Sequence, residues 1–165
     1  MRMSTLGQHA PALMRGRRWA VRLIVAAGVL SAVNGAAHFV LPVWFPWEQH
    51  VVGLYAPLRW ALFATTVFFG VLLLLAGVLT VVVARASDVP RRLVVWVVAG
   101  MAGFWLLAAG YELIVPFPAP GADSALPAFS VVVALLHLSG LWLWLRAPAA
   151  VDSSSHDLGG SEPIR

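Results

Sequence analysis

Four stretches of this chain are too apolar and too long to belong to a water-soluble domain. They run over residues 19–41, 59–84, 93–115 and 125–145. A helix needs roughly 20 apolar residues to cross about 30 Å of hydrocarbon, and each run meets that length. Inside a bilayer the backbone must satisfy its own hydrogen bonds, so runs of this kind span as α-helices. Of the 165 residues, 61% are hydrophobic and 11% charged, whereas a soluble domain carries roughly a quarter charged residues. The pattern predicts an all-α integral membrane protein: an antiparallel four-helix bundle, up-down-up-down, joined by short connections.

Charge sets the expected orientation. The net charge is +4, and all eleven basic residues are arginine. Ten lie on one side, in the N-terminal stretch, the 85–92 turn and the C-terminal end, and only Arg59 lies on the other. Positive residues stay in the cytoplasm. Both termini are therefore expected inside a bacterial inner (plasma) membrane, with the loops 42–58 and 116–124 outside. Residues 1–18 read as a basic cytoplasmic tail and 147–165 as a disordered one. Pro42, Pro116 and Pro148 are expected to close runs one, three and four. The arginines form no stripe interleaved with polar residues, which argues against nucleic acid as a partner.

A secretory signal peptide is the other reading of the first run, given its basic start and the small residues Gly35-Ala36-Ala37. The long basic region and the continuation through Phe39-Val40-Leu41 favour a retained span. The outer loop carries Trp44, Phe45, Trp47 and Tyr55, rings that favour the membrane boundary. A faint repeat is also present. His38 and Glu112 each stand four residues before a proline at the outer end of an odd-numbered helix, which suggests two parallel hairpins. Apolar segments reach such a match by chance as readily.

In lipid, helices associate through close backbone approach and interhelical hydrogen bonds. Helix 1 offers Ala27, Gly28, Ser31, Ala32, Gly35 and Ala36, with Asn34 and His38 along the same face. Helix 3 offers Ala99, Gly103, Ala108, Ala109 and Glu112, and helix 4 offers Ser130, Ala134, His137 and Gly140. These stripes are expected to face the interior.

Polar residues at the outer end make the candidate site. His38 and Glu112 each lie about three residues, roughly 5 Å, below the outer boundary. Arg59 opens helix 2 there, and Asn34 is one turn deeper. Asn34, His38, Arg59, Tyr111 and Glu112 can converge on one ligand-binding pocket, with Glu48 and His50 as a lid. A histidine and a carboxylate in low dielectric can hold a proton, a quinone carbonyl or a metal ion. The plainer reading is structural: Glu112 pairs with Arg59 or His38 and ties helices together. His137, an intramembrane polar residue near the middle of helix 4, is expected as a neutral imidazole bonded to Ser130, Thr66 or a backbone carbonyl.

Several chemistries are disfavoured. There is no cysteine, which excludes disulfides, thiolate metal sites and a quinone reductase working through a cysteine pair. His38 and His137 are expected roughly 15 Å apart along the membrane normal, too far to share a haem. No His-x-x-x-His or Glu-x-x-His pair lies within a helix to hold a metal. Gly-rich phosphate loops, a Gly-x-Ser-x-Gly elbow and channel-lining charges are absent from the sequence. No catalytic set emerges.

From Gly35 to Phe45 the chain reads Gly-Ala-Ala-His-Phe-Val-Leu-Pro-Val-Trp-Phe. This resembles the small DoxX-like membrane proteins, whose first helix ends in Gly-x-x-His-Phe-x-x-Pro-x-x-Phe. Gly35, His38, Phe39, Pro42 and Phe45 match, and the four-span layout agrees over residues 19–146. The resemblance implies a bundle with a site near its outer face. It also implies, for some members, a link to quinone-dependent sulfur oxidation or to redox and detoxification assemblies. The chain departs from the pattern in helix 2, where many relatives carry Gly-x-x-Glu. Here Phe68-Phe-Gly-Val-Leu-Leu has no carboxylate, and whether Glu112 takes its place is open.

Three functions are therefore weighed. The first is binding of a quinone or small lipophile at the outer face, as the membrane partner of a redox system. The second is a non-catalytic accessory subunit of a membrane complex. The third is a small transporter, which would have to work as a homo-oligomer.

Overall fold

The computed structural model describes residues 6–44, 49, 51–115 and 122–147. They form four helices: α1 (Leu6–Trp44), α2 (Ala56–Arg85), α3 (Arg91–Ile114) and α4 (Ala122–Arg146). No strand occurs among the described residues. The chain is an all-helical four-helix bundle.

The helix ends follow local chemistry. Pro57 stands in the first turn of α2, where its missing N–H removes no intrahelical bond. That helix closes at Ala86, whose extended backbone (φ −68°, ψ 134°) still donates its N–H to Val82 O. Pro90 precedes α3 and accepts from Leu93 N. Val115 leaves the helical region (φ −123°, ψ 78°), as the residue before a proline must. One expectation is corrected at α1. The helix, which starts at Leu6 and takes in most of the basic stretch, runs two residues beyond Pro42 to Trp44. A proline in the last turn forfeits one backbone bond and clashes with one carbonyl, which a helix about to end tolerates.

The outward faces explain the environment. All four helices are long and apolar enough to cross a membrane, yet no more than 33% of any span's most apolar stretch is buried within the bundle. Phe68, Leu72, Trp96 and Leu107 are among many large apolar side chains facing outward. Water does not tolerate an apolar surface of that extent, and lipid does. This is a multi-pass membrane protein.

Packing is uneven. Between α1 and α2, glycines meet backbone. A Cβ on Gly28 would lie 2.9 Å from Gly77 O, and one on Gly70 would lie 2.9 Å from Gly35 O. A Cβ on Gly35 would collide with the backbone nitrogen of Leu74. The pairs are Gly28 with Gly77 and Gly35 with Gly70, seven residues apart on each antiparallel strand of the seam. A seven-residue repeat keeps two helices in contact through a left-handed supercoil. On its other side α1 meets α4, where a Cβ on Gly140 would lie 2.6 Å from Ile24 Cγ1. In contrast, α2 and α3 share the sparsest contact of the neighbouring pairs. They meet in the half away from the arginine-rich end through Phe69 and Phe104, whose rings are 5.8 Å apart.

The order round the bundle is α1, α2, α3, α4, with α1 diagonal to α3. Two apolar clusters fill it. Near the arginine-rich end, Ala20, Ile24, Val83, Val94, Val98 and Trp144 pack together. Nearer the other end stand Leu73, Met101, Trp105, Val133 and Ala134. Trp105 crosses the diagonal, donating from Nε1 to Ser31 Oγ at 2.9 Å. Arg91 Nη2 donates to Trp144 O (2.8 Å) and Leu145 O (2.7 Å), placing a cation on carbonyls that end α4. The small residues expected inside are mostly there: Ala27, Gly28, Ser31, Gly35, Ala109, Ser130, Ala134 and Gly140 are buried. Ala36 is exposed, and a Cβ on Gly103 would meet nothing within 4 Å.

Candidate polar site

The Ser31–Trp105 bond fixes a common height for α1 and α3, which run parallel. His38 lies seven residues beyond Ser31, and Glu112 seven beyond Trp105. Both therefore stand roughly 10 Å above the bond, at one level near the end of the bundle away from the arginines. The expected juxtaposition of depth holds.

His38 is half-buried, and its Nδ1 lies 2.8 Å from Asn34 O, one turn back in the same helix. With the proton on Nδ1 this nitrogen donates, and Nε2 carries the ring's acceptor lone pair. The ring lies against Phe69, with centroids 5.0 Å apart and planes tilted by 56°. Gly70 makes that position available, since a Cβ there would lie 2.9 Å from His38 Cβ. From Phe69 a row of rings crosses the bundle: Phe104 at 5.8 Å, then Trp105 at 5.4 Å, then Phe129 at 5.4 Å. The last two contacts are edge-to-face, the arrangement that ring quadrupoles favour. His38 thus ends an aromatic wall to which all four helices contribute.

Glu112 is half-buried, and its Oε2 is buried with no hydrogen-bond partner. Among the described residues neither Arg59 nor His38 pairs with it. The tie expected from Glu112 to Arg59 or His38 is therefore not made. A buried carboxylate oxygen left without a donor costs on the order of 1–3 kcal/mol, a deficit that a ligand hydroxyl or a water can remove.

The other expected site residues fall in different places. Asn34 contributes through its backbone carbonyl. Arg59 is exposed at the start of α2, and Tyr111 is 65% exposed on an outward face. Glu48 and His50 lie outside the described residues. The sequence reading missed Phe69, Phe104 and Trp105. The signal for Trp105 was its seven-residue spacing from Glu112, matched by that of Ser31 from His38.

Deeper in the bundle His137 is fully buried. Its Nδ1 lies 2.8 Å from Val133 O, so of the expected partners a backbone carbonyl is the one used. Its Nε2 is unpartnered, as are Ser130 Oγ and Trp144 Nε1. These three residues are seven apart on α4 and form a column, with steps of roughly 10 Å. Counting from the Trp105–Phe129 contact puts His137 roughly 20 Å from His38 along the bundle axis. That separation, somewhat longer than expected, keeps the two imidazoles from ligating one haem. No group of three metal-ligating side chains occurs among the described residues.

Compared with protein-family models, curated proteins and solved structures, the chain matches none.

Proposed function

We propose that this protein binds a small lipophile with a flat, hydroxyl-bearing head, of the quinol class, at the outer end of the bundle. The reading rests on one observation: the buried, unpartnered Glu112 Oε2 stands level with His38, whose Nδ1 is taken up by Asn34 O and whose Nε2 is the remaining ring acceptor. Both atoms are acceptors, and a quinol offers two hydroxyl donors. Phe69 and Phe104 offer ring faces for stacking. Contact between α2 and α3 is sparse, which supports entry of such a ligand from lipid, the phase in which it dissolves. The likeness to DoxX-like proteins through Gly35, His38, Phe39 and Pro42 adds a role as membrane partner of a redox enzyme. The arginine distribution supports a bacterial inner membrane with both termini in the cytoplasm.

The test is saturable binding of a short-chain quinol to the purified protein in nanodiscs. His38→Ala and Glu112→Ala should each weaken it by about tenfold, or about 1.4 kcal/mol. Ligand-free thermal unfolding should not fall in Glu112→Ala, since that change removes an unpartnered buried oxygen. Unchanged affinity in both variants would overturn the proposal.

A second reading, an accessory subunit whose polar residues only fix packing, is favoured by the Ser31–Trp105 bond. It requires that His38→Ala and Glu112→Ala destabilise the ligand-free protein.

A further inference from the structure

At the arginine-rich end, above the buried Ala20, Ile24, Val83 and Ala84, the ends of α1 and α2 line a groove of about 540 Å³. Arg17, Arg18 and Arg22 line it from α1 and Arg85 from the end of α2, with Val21 and Ala84 below them. The antiparallel seam puts these residues at one height: continuing the Gly28–Gly77 pairing brings Arg22 opposite Val83 and Arg85 opposite Ala20.

Among the described residues the arginines lack acidic partners: no ion pair reaches them, although Asp88 is three residues from Arg85. Arg17 lies over the Trp144 ring at 5.5 Å, and Arg22 over the Trp19 ring at 5.2 Å. These contacts hold two guanidinium groups in place without neutralising them. Several unneutralised cations facing one groove repel each other, and an anion bound among them reverses the sign of that interaction. Guanidinium is the group best suited to phosphate, offering paired N–H donors to paired oxygens.

We infer that this groove binds the headgroup phosphate of an anionic phospholipid. The lipid, rather than free phosphate, is indicated by its position. Arginines ring the groove at the level where the apolar spans end, and Val21 and Ala84 continue it toward the apolar face, along which an acyl chain can lie. Exposed Trp19 (51%) stands beside it, at the boundary where indole rings anchor. A basic pocket between membrane helices is the recurrent form of such a site. The inference is independent of the outer site.

The test is native mass spectrometry of the full chain with equimolar phosphatidylglycerol and phosphatidylcholine. The wild type should retain phosphatidylglycerol preferentially. The double variant Arg18→Gln/Arg85→Gln should lose that preference by about 30-fold. The charge-matched double variant Arg92→Gln/Arg146→Gln, outside the groove, should keep it. Circular dichroism should show the same helix content in all three. Equal retention of the two lipids by the wild type, or equal loss in both double variants, would overturn the inference. So would displacement of phosphatidylglycerol by millimolar inorganic phosphate, since that would make the groove a free-anion site.

Discussion

The two seams that flank α2 are built on opposite principles. Against α1, the helix presents Gly70 and Gly77 to Gly35 and Gly28, and backbone meets backbone. Against α3, contact is sparse and carried, in the half away from the arginines, by phenyl rings. In lipid no hydrophobic force closes such gaps, so the distance between helices is set by the size of the residues between them. The first seam is locked by the absence of side chains. The second is held apart by their bulk, and His38 and the unpartnered Glu112 Oε2 lie toward its end away from the arginines.

Gly35→Leu should have the largest effect on this contrast. Its side chain has no space beside Leu74, and loss of about 3 kcal/mol is expected, read by denaturant titration in detergent. Glu112→Gln sharpens the functional side. The amide brings donors, so affinity should shift from quinol toward quinone by about tenfold, or about 1.4 kcal/mol, in paired titrations of the two redox forms. Trp105→Phe removes the cross-diagonal bond while Ser31 Oγ keeps its own bond to Ala27 O. The expected cost is about 1 kcal/mol, measured by thermal unfolding. Gly103→Leu should change stability by less than about 0.5 kcal/mol, because nothing in the bundle stands near that position. A large effect there would mean that the outward face of α3 packs against something.

The spans were legible because hydropathy over twenty residues reports the hydrocarbon boundary. It does not report where a helix ends, which is why α1 begins well before Trp19 and outlasts Pro42. The small-residue faces of α1 and α4 were legible against bulkier neighbours. Gly70 and Gly77 were not singled out, since α2 is apolar all round and shows no contrast between faces. Their seven-residue spacing, equal to that of Gly28 and Gly35, was the available clue. At the candidate site, depth was readable and direction was not. His38 and Glu112 do share a level. Tyr111, adjacent to Glu112 in sequence, is turned by roughly 100° and faces outward. The aromatic wall escaped notice because Phe69 and Phe104 come together only once the helices are assembled.

The contrast between the seams can be measured directly, as the natural chain has no cysteine. Val33, Leu72 and Leu107 share one height by the pairings above and are all exposed. Spin labels on Val33→Cys/Leu72→Cys and on Leu72→Cys/Leu107→Cys report the two seams from a common site by double electron–electron resonance. The account predicts a narrow distance distribution across α1–α2 that ignores added quinol. It predicts a broader one across α2–α3 that sharpens when quinol binds. Equal widths, or a quinol response across the glycine seam instead, would contradict it.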